Sequence, residues 1–499
     1  MTHDPFNTRA YGSLQDLTHR LVAQWLQKQG YSDTLAHLSS ESEVPIPRLL
    51  NDKRYTLDPL LTDLIEDHLH RLAAQTANQA EAIPFKAELA QLVGSIPKLQ
   101  LPNRLTTPIR DLANFLTVQV GLWPRRRWDS DTLSFKRYYD AHFHSWSFPK
   151  PASYAYVVSL NSNSEWIPSI YTTSVDSLKI FNRFDASLLD TIPLPSPIIS
   201  FALHRRIGLF STMQGSTHLI DLVTRKVKQV LRDHTKYVVG TLFDSDQGKW
   251  AMTWARDNSL RIYEFEYKQG ETEEIVLEGE ESDEFASEPE VRLIERHVVH
   301  TVTNPEAAVF LPGATHLVYT ARDDHLLHEV VLPQTEDESN AWSTNGINLN
   351  ENGDDCLQIA LHPTLPILSL QTSTENARIL LYAFHSPHRL ATLHTQAIQT
   401  DYFQPKHVWL PSGNAVVVTS EDGILRIVGI GGRLIKEVAA HGAAVPDEEE
   451  DGLELSERAH VRRVKVKGSS VIKGVTCVED EDGLSIWSCG FDKTVKRIH

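Results

Sequence analysis

The sequence predicts an all-β, seven-bladed β-propeller preceded by a small α-helical N-terminal region. Three observations support this fold class. Apolar residues recur at helical spacing between residues 17 and 72. From about residue 150 onward, short β-rich segments separated by turns replace that spacing. Seven of these segments share one pattern: a strand, an acidic or polar turn, and a second strand.

The composition is that of a globular protein. Of 499 residues, 41% are hydrophobic and 23% are charged. No apolar run approaches the length of about 18 residues that a membrane helix needs, and the N-terminus lacks the apolar core of a signal peptide. The three cysteines are too few for a disulfide framework. We therefore expect a protein of the cytoplasm, the nucleus or both, with no membrane partner.

The net charge of −17 comes from two local runs. Residues 271–290 hold ten acids and residues 447–457 hold seven, with no Lys or Arg in either run. Without these acids, the acidic residues equal the 48 basic ones. Such runs are typical of solvated segments, and they argue against nucleic acid as a partner.

Two short helices hinged at Gly30 are predicted near the N-terminus. Residues 17–29 carry an apolar stripe, and Gly30 ends this helix because glycine adopts the left-handed turn at little cost. Asp33 is placed to cap a second helix, whose Leu35 and Leu38 face inward. A pair of about 25 residues buries too little surface to be stable alone. The stripe must pack on a second copy of the chain or on later helices of the same chain.

The same stretch resembles the lissencephaly homology (LisH) motif, which is a dimerisation element. Trp25 stands where that family often has Tyr, and Leu35 stands where Ala is usual. The resemblance implies a homodimer formed through residues 11–45. The matching positions, with the spacing of the motif, are Leu21, Val22, Trp25, Leu26, Gly30, Tyr31, Thr34, Leu38 and Glu41.

The strand–turn–strand pattern predicts seven β-hairpins. An isolated hairpin exposes unpaired edges and cannot bury its faces. Four-stranded sheets arranged radially solve both problems, which gives a propeller. The hairpins span residues 170–182, 209–222, 251–264, 317–330, 367–383, 416–429 and 486–499.

A histidine recurs before several hairpins, and an aspartate recurs in their turns. The spacing is 23 residues both from His234 to Asp257 and from His300 to Asp323. A buried His–Asp pair satisfies polar groups inside a blade. The predicted structural positions of the repeat are His234, Asp257, His300, Asp323, His394, Asp422, His441 and Asp492.

This pattern resembles the WD-repeat family, whose units carry Gly-His before the first strand and Asp in a later turn. None of the seven hairpins ends in Trp-Asp, and glycine does not precede the histidines. The resemblance is therefore to a degenerate WD-repeat propeller. It implies that other proteins bind the top face.

The last hairpin ends at His499, so another segment must supply the fourth strand of the last blade. Residues 130–149 are the expected source. The predicted domains are a dimerisation motif at 11–45, a helical region and linker at 46–129, and the propeller at 130–499.

Both acidic runs fall between predicted strands. The run at 271–290 is expected on the bottom face. The run at 447–457 is expected on the top face, where residues 443–468 are the first candidate for a partner contact and a solvated loop is the alternative.

No catalytic, cofactor or metal site is predicted. His142 with His144, and His325 with His328, have a spacing that could bind a metal, but 23 histidines produce such pairs by chance. The sequence contains no phosphate-binding loop, dinucleotide fingerprint or G-x-S-x-G motif.

We therefore expect a non-enzymatic scaffold or adaptor in a multiprotein complex. The LisH-plus-propeller plan implies three roles, which are a substrate receptor of a ubiquitin ligase, a corepressor subunit and a microtubule-motor regulator. A subunit that only builds a larger particle is another possibility. A propeller-based metal-dependent hydrolase is the disfavoured alternative from a different class.

Overall fold

The computed structural model divides the chain into two units, Met1–Ile83 and Pro84–His499. The residues that it describes are 22–23, 26–27, 30–41, 85–111, 113–124, 166–173, 177–194, 196–204, 207–222, 224–244, 248–268, 290–324, 326–334, 342–349, 356–373, 377–400, 406–442, 470–480 and 483–499.

The N-terminal unit contains the predicted helical hinge. Gly30 has a φ of +78°, and the Tyr31 N–H donates to the Leu26 carbonyl at 2.9 Å. This bond and the bond from Gly30 N–H to Gln27 form a glycine-terminated helix end. Helix α1 (Ser32–Glu41) follows directly. The predicted end of the first helix at Gly30 is confirmed.

A small apolar cluster joins the two helical segments of this unit. Ala23, Leu26 and Leu35 are buried against one another, and Val22 and Leu38 pack at the edge of the cluster. Part of the predicted stripe is therefore buried within the unit itself. Tyr31 and Thr34 are exposed. Leu21, Trp25 and the side chain of Glu41 lie outside the described residues.

The second unit begins with helix α2 (Lys86–Ser95) and a 3-10 turn (Ile96–Lys98) and continues as strands. The strands are β1 (Leu105–Arg110), β2 (Thr117–Pro124), β3 (Trp166–Thr173), β4 (Ser177–Asn182), β5 (Leu188–Pro193), β6 (Ile198–His204), β7 (Ile207–Thr212), β8 (Thr217–Asp221), β9 (Lys226–Leu231), β10 (Val238–Phe243), β11 (Trp250–Ala255), β12 (Ser259–Lys268), β13 (Glu290–His300), β14 (Pro305–Phe310), β15 (His316–Ala321), β16 (Leu326–Val331), β17 (Ser343–Asn348), β18 (Cys356–Leu361), β19 (Ile367–Thr372), β20 (Arg378–Ala383), β21 (Arg389–His394), β22 (His407–Trp409), β23 (Ala415–Val418), β24 (Ile424–Gly429), β25 (Leu434–Ala439), β26 (Ile472–Asp480), β27 (Gly483–Gly490) and β28 (Thr494–Ile498).

These strands form seven four-stranded antiparallel sheets, so the predicted seven-bladed propeller is confirmed. Blades 1 to 6 are β2–β5, β6–β9, β10–β13, β14–β17, β18–β21 and β22–β25, and blade 7 combines β26, β27 and β28 with β1. Each hairpin predicted from the sequence forms the second and third strands of one blade. The arrangement is consistent with a WD-repeat-like propeller.

The first strand of each blade lies at the centre of the ring. Each first strand contacts the first strands of the two neighbouring blades, and the last blade meets the first through β26 and β2. The apolar core lies between the blade faces. Phe201 and Phe210 of blade 2 illustrate it, because they are buried with Ile180 and Ile192 of blade 1. The ring therefore encloses a central channel lined by seven first strands.

The ring is closed by strand β1, which pairs antiparallel with β28. Leu105 lies opposite Ile498, and Ile109 lies opposite Val495. The prediction that an earlier segment supplies the fourth strand is confirmed, but the predicted segment, 130–149, is wrong. That segment lies outside the described residues, and the pairing position is occupied by Leu105–Arg110.

Helix α2 packs against the sixth blade. Leu89, Leu92 and Ile96 contact the core shared by blades 5 and 6, and Asn414 donates a hydrogen bond to the Ser95 hydroxyl at 3.2 Å. The sequence predicts a helical region and linker at residues 46–129. In the described part of this range, Lys86–Ser95 and Ile96–Lys98 are helical, whereas β1 and β2 belong to the propeller. Within the described ranges, no helix is long and apolar enough to cross a membrane.

Candidate protein-interaction surface

The two ends of the ring are distinguished by their connections. We define the top face as the end at which each first strand begins. Because the strands of a blade are antiparallel, each second strand ends there and each third strand begins there. The top face therefore carries the loops between blades and the turns between second and third strands.

A buried polar network holds the top of blade 3. The His234 Nδ1 lies 3.1 Å from an Asp257 carboxylate oxygen, and its Nε2 lies 2.8 Å from the Thr253 hydroxyl. The Ser259 hydroxyl donates to Asp257 at 2.7 Å, and the Thr235 N–H donates to the same carboxylate at 2.9 Å. This network fixes the loop before blade 3 to the turn within it.

Burial determines the charge state of this histidine. It lowers the pKa of His234, although the nearby Asp257 opposes the shift. Burial also raises the pKa of Asp257, but the hydrogen bonds from Ser259 and Thr235 outweigh it, so this pKa is below its usual value. A neutral His234 at neutral pH donates its Nδ1–H to the carboxylate and accepts at Nε2 from Thr253. The pair stabilises the loop through hydrogen bonds.

Blade 7 repeats the network at its top end. The His441 Nδ1 lies 2.9 Å from Asp492, and its Nε2 lies 2.9 Å from the Ser488 hydroxyl. The Thr494 hydroxyl donates to Asp492 at 2.7 Å. The structure thus brings together two of the four His–Asp sets named from the sequence.

The other two sets are not joined in the same way. His300 is exposed at the end of β13, and no described contact joins it to Asp323. In blade 6, Asp422 binds Arg426 instead of His394, with the Arg426 Nη2 2.7 Å from the carboxylate. Both members of this ion pair are buried, at 0% and 2% side-chain exposure. His394 ends β21, opposite Arg378 of β20.

Three large apolar side chains are exposed on the top face of blades 2, 3 and 4. Met213 is 64% exposed in the turn after β7, Tyr237 is 45% exposed before β10, and Val302 is 95% exposed before β14. We call these three residues the apolar arc. Exposed apolar groups that are connected across a surface are typical of binding sites.

The segments that carry the apolar arc contact one another. Gly215 has a φ of +81°, and a Cβ there would lie 2.6 Å from the Lys236 carbonyl oxygen, so this turn abuts the next loop. The Arg256 N–H donates to the Tyr237 carbonyl at 3.2 Å, and the Asn258 side chain donates to the Val302 carbonyl at 3.2 Å. The loops that carry the apolar arc are therefore in contact from blade 2 to blade 4.

A charged cluster lies beside the arc, where blades 3 and 4 meet. Glu306 on β14 is buried and accepts from Arg256 at 2.5 Å and from the Arg322 Nε at 2.8 Å. The Trp254 indole donates to the Glu306 carbonyl at 3.2 Å. Two arginines on one carboxylate leave the cluster with an excess of positive charge.

The predicted loop candidates fall outside the described residues. The acidic run at 271–290 joins β12 to β13 at the bottom face, apart from its last residue, Glu290, which begins β13. Residues 443–468 join β25 to β26 and so belong to a top-face connection. The strand ends on either side of each run lie at the predicted face. Whether either loop binds a partner stays a prediction.

Sequence reasoning missed the apolar arc because its members are single residues in three separate turns. Nothing in their local patterns distinguishes them from other loop residues.

Among the residues that the structure describes, no group of three His, Cys, Asp or Glu side chains is arranged to hold a metal ion. Asp257, Asp492 and Asp422 are instead bound within their own blades.

No protein-family model and no curated protein matches this sequence. The class defined by the structure is a seven-bladed β-propeller of WD-repeat-like arrangement, a fold that suits a protein-interaction platform.

Proposed function

We propose that the protein is a non-enzymatic scaffold that binds protein partners on the top face of its propeller. The observation that carries this proposal is the apolar arc. Met213, Tyr237 and Val302 expose apolar surface on three adjacent blades, next to the arginines around Glu306. Exposed aromatic and aliphatic groups beside arginine are the combination that protein interfaces favour.

The buried networks support a structural rather than a catalytic role for His234 and His441. His234 and His441 each use both ring nitrogens in hydrogen bonds inside the protein. A general base needs a nitrogen that can reach a substrate. Substrate receptor, corepressor subunit and motor regulator are the scaffold roles that the LisH-plus-propeller plan implies.

Val302→Asp is expected to lower partner capture at least about tenfold, because an aspartate in place of an apolar contact residue must be desolvated when the partner binds. The measurement is quantitative affinity purification from native extract with wild-type and variant protein. Val302 is 95% exposed, so the variant is expected to fold normally.

Val227→Asp is the matched control. Val227 is also exposed, but it lies on β9, the outer strand of blade 2. Proteins lost with Val302→Asp and retained with Val227→Asp support the proposal. If Val302→Asp captures the same proteins as wild type while Val227→Asp loses them, the outer edge of the ring is the interface and the proposal fails.

The N-terminal unit is proposed to pair two chains. The described residues of its two helical segments bury a small cluster, and Tyr31 is 53% exposed at the hinge. An exposed aromatic beside a short helix pair suits a self-complementary contact across a two-fold axis. A dimer would present two top faces, so a partner with two matching sites gains avidity.

Light scattering tests this pairing. The wild-type protein is expected to have twice the mass of one chain, which is 56.3 kDa. The double variant Trp25→Ala with Tyr31→Ala is expected to be folded and to have the mass of one chain. Tyr237→Ala removes an exposed aromatic from the propeller and should leave the dimer intact. A wild-type mass of one chain at micromolar concentration would refute the pairing and the avidity that depends on it.

A further inference from the structure

Two lysines stand side by side at the top end of the central channel. Lys406 immediately precedes β22, and Lys473 is the second residue of β26. β22 and β26 are the first strands of adjacent blades and contact each other. Both lysines therefore lie where the first strands begin, at the rim of the channel on the top face.

Lys406 is accessible to solvent at the rim, but the blades around it restrict its hydration. This burial and the neighbouring Lys473 lower its pKa to about 8. Burial also lowers the pKa of Lys473. Two ammonium groups that are enclosed and close together repel each other, and an anion between them would relieve that repulsion.

Neither lysine forms an ion pair with a carboxylate among the residues that the structure describes. Glu306 interacts electrostatically with Lys406, but its carboxylate already accepts hydrogen bonds from Arg256 and Arg322. The adjacent His407 is buried and, mainly through burial, its pKa falls to about 3, so it adds no charge at neutral pH. The charged groups that act on Lys406 are therefore Lys473 and Glu306, and two arginines already bind the Glu306 carboxylate.

We propose that Lys406 and Lys473 form an anion-binding site that receives an acidic side chain of a protein partner. This inference rests on the proposed function, because it assigns chemistry to a partner on the top face. A peptide is favoured as the source of the anion because the site opens on the same face as the apolar arc.

The test measures binding of fluorescein-labelled hexaglutamate by anisotropy at low ionic strength and pH 7. Lys406→Gln with Lys473→Gln is expected to weaken binding at least about tenfold, since each lost charge-assisted contact costs on the order of a factor of ten. Lys98→Gln, a change of the same charge at an exposed site outside the channel, should have no effect. Binding should weaken as salt rises.

The protonation of Lys406 gives a second readout. Between pH 7 and pH 9 the wild type is expected to lose affinity, because a group with a pKa of about 8 gives up its charge in this window. Lys406→Arg should retain affinity at pH 9, because a guanidinium stays protonated there. The thermal midpoint of the double Gln variant should equal or exceed that of wild type, which separates lost binding from unfolding.

The proposal is overturned if hexaglutamate binds equally to wild type and to the double variant. It is also overturned if the wild type does not bind hexaglutamate at millimolar peptide concentration. Displacement of hexaglutamate by inorganic phosphate at equal charge would assign the site to small anions. Binding that is gained only when residues 447–457 are deleted would assign it to the chain's own acidic run. None of these results depends on Val302, so failure here leaves the proposed function standing and separately testable.

Discussion

Replacing Arg426 with methionine is expected to destabilise the propeller by about 3–5 kcal/mol. Asp422 is 0% exposed, and the Arg426 Nη1 and Nη2 lie 3.2 and 2.7 Å from its two oxygens. Without the guanidinium, the hydrogen bond from the Ile424 N–H at 3.1 Å is the one that remains to the buried carboxylate from the described residues. The lost free energy is that of an uncompensated buried charge.

Chemical unfolding in urea measures this effect, with Arg433→Met as the matched control. Arg433 lies in the same blade and is exposed, so its replacement should change stability by less than about 0.5 kcal/mol. The double variant Asp422→Leu with Arg426→Met removes both charges and should recover most of the loss. Glu437, 3.1 Å from the Arg426 Nε, is partly exposed and can be solvated. Equal stability of Arg426→Met and wild type would contradict the buried ion pair.

Closure of the ring gives the second large effect. Ile109→Ala is expected to cost about 2–5 kcal/mol, because Ile109 is buried against Trp487 and Val495 in the core that joins blades 7 and 1. Leu105→Ala lies on the same strand but at an exposed position, so it should cost less than about 0.5 kcal/mol. Urea unfolding of both variants measures the difference.

Two deletions separate the observed closing strand from the predicted one. Removing residues 105–110 takes away the fourth strand of blade 7 and should leave a chain that unfolds at much lower urea concentration. Removing residues 130–149 should leave stability nearly unchanged. The reverse result, a stable chain without 105–110 and an unstable one without 130–149, would contradict the closure by β1.

The sequence was sufficient to predict the blades because each hairpin is a local pattern. The strand, the turn and the next strand lie within about 15 residues, and each pair found this way forms the second and third strands of a blade. "AMTWARDNSLRIYE" illustrates this, since it contains β11 and β12.

Closure could not be placed from local patterns. Thr106 binds the Arg497 carbonyl from 391 residues away, and no local signal reports such a pairing. Pro108 also makes the strand hard to recognise in the sequence, because proline is rare inside strands. It is tolerated here because β1 is an edge strand whose register shifts between Thr106 and Ile109.

The polar networks were only partly predictable for a similar reason. His234 and His300 stand at the same spacing from an aspartate, but only His234 points into its blade and reaches that aspartate. Spacing along the chain does not determine the direction of a side chain at the end of a strand. His394 ends β21 of blade 5, and Asp422 of blade 6 is bound instead by Arg426, from the third strand of its own blade.

Hydrogen exchange of the protein alone and with its captured partner tests the central claim most directly, that the top face is the binding platform. We expect slower exchange at 213–216, 232–238 and 301–304, the segments that carry Met213, Tyr237 and Val302, with little change on the outer strands. Slower exchange confined to β5 and β9, with the three top-face segments unchanged, would contradict it.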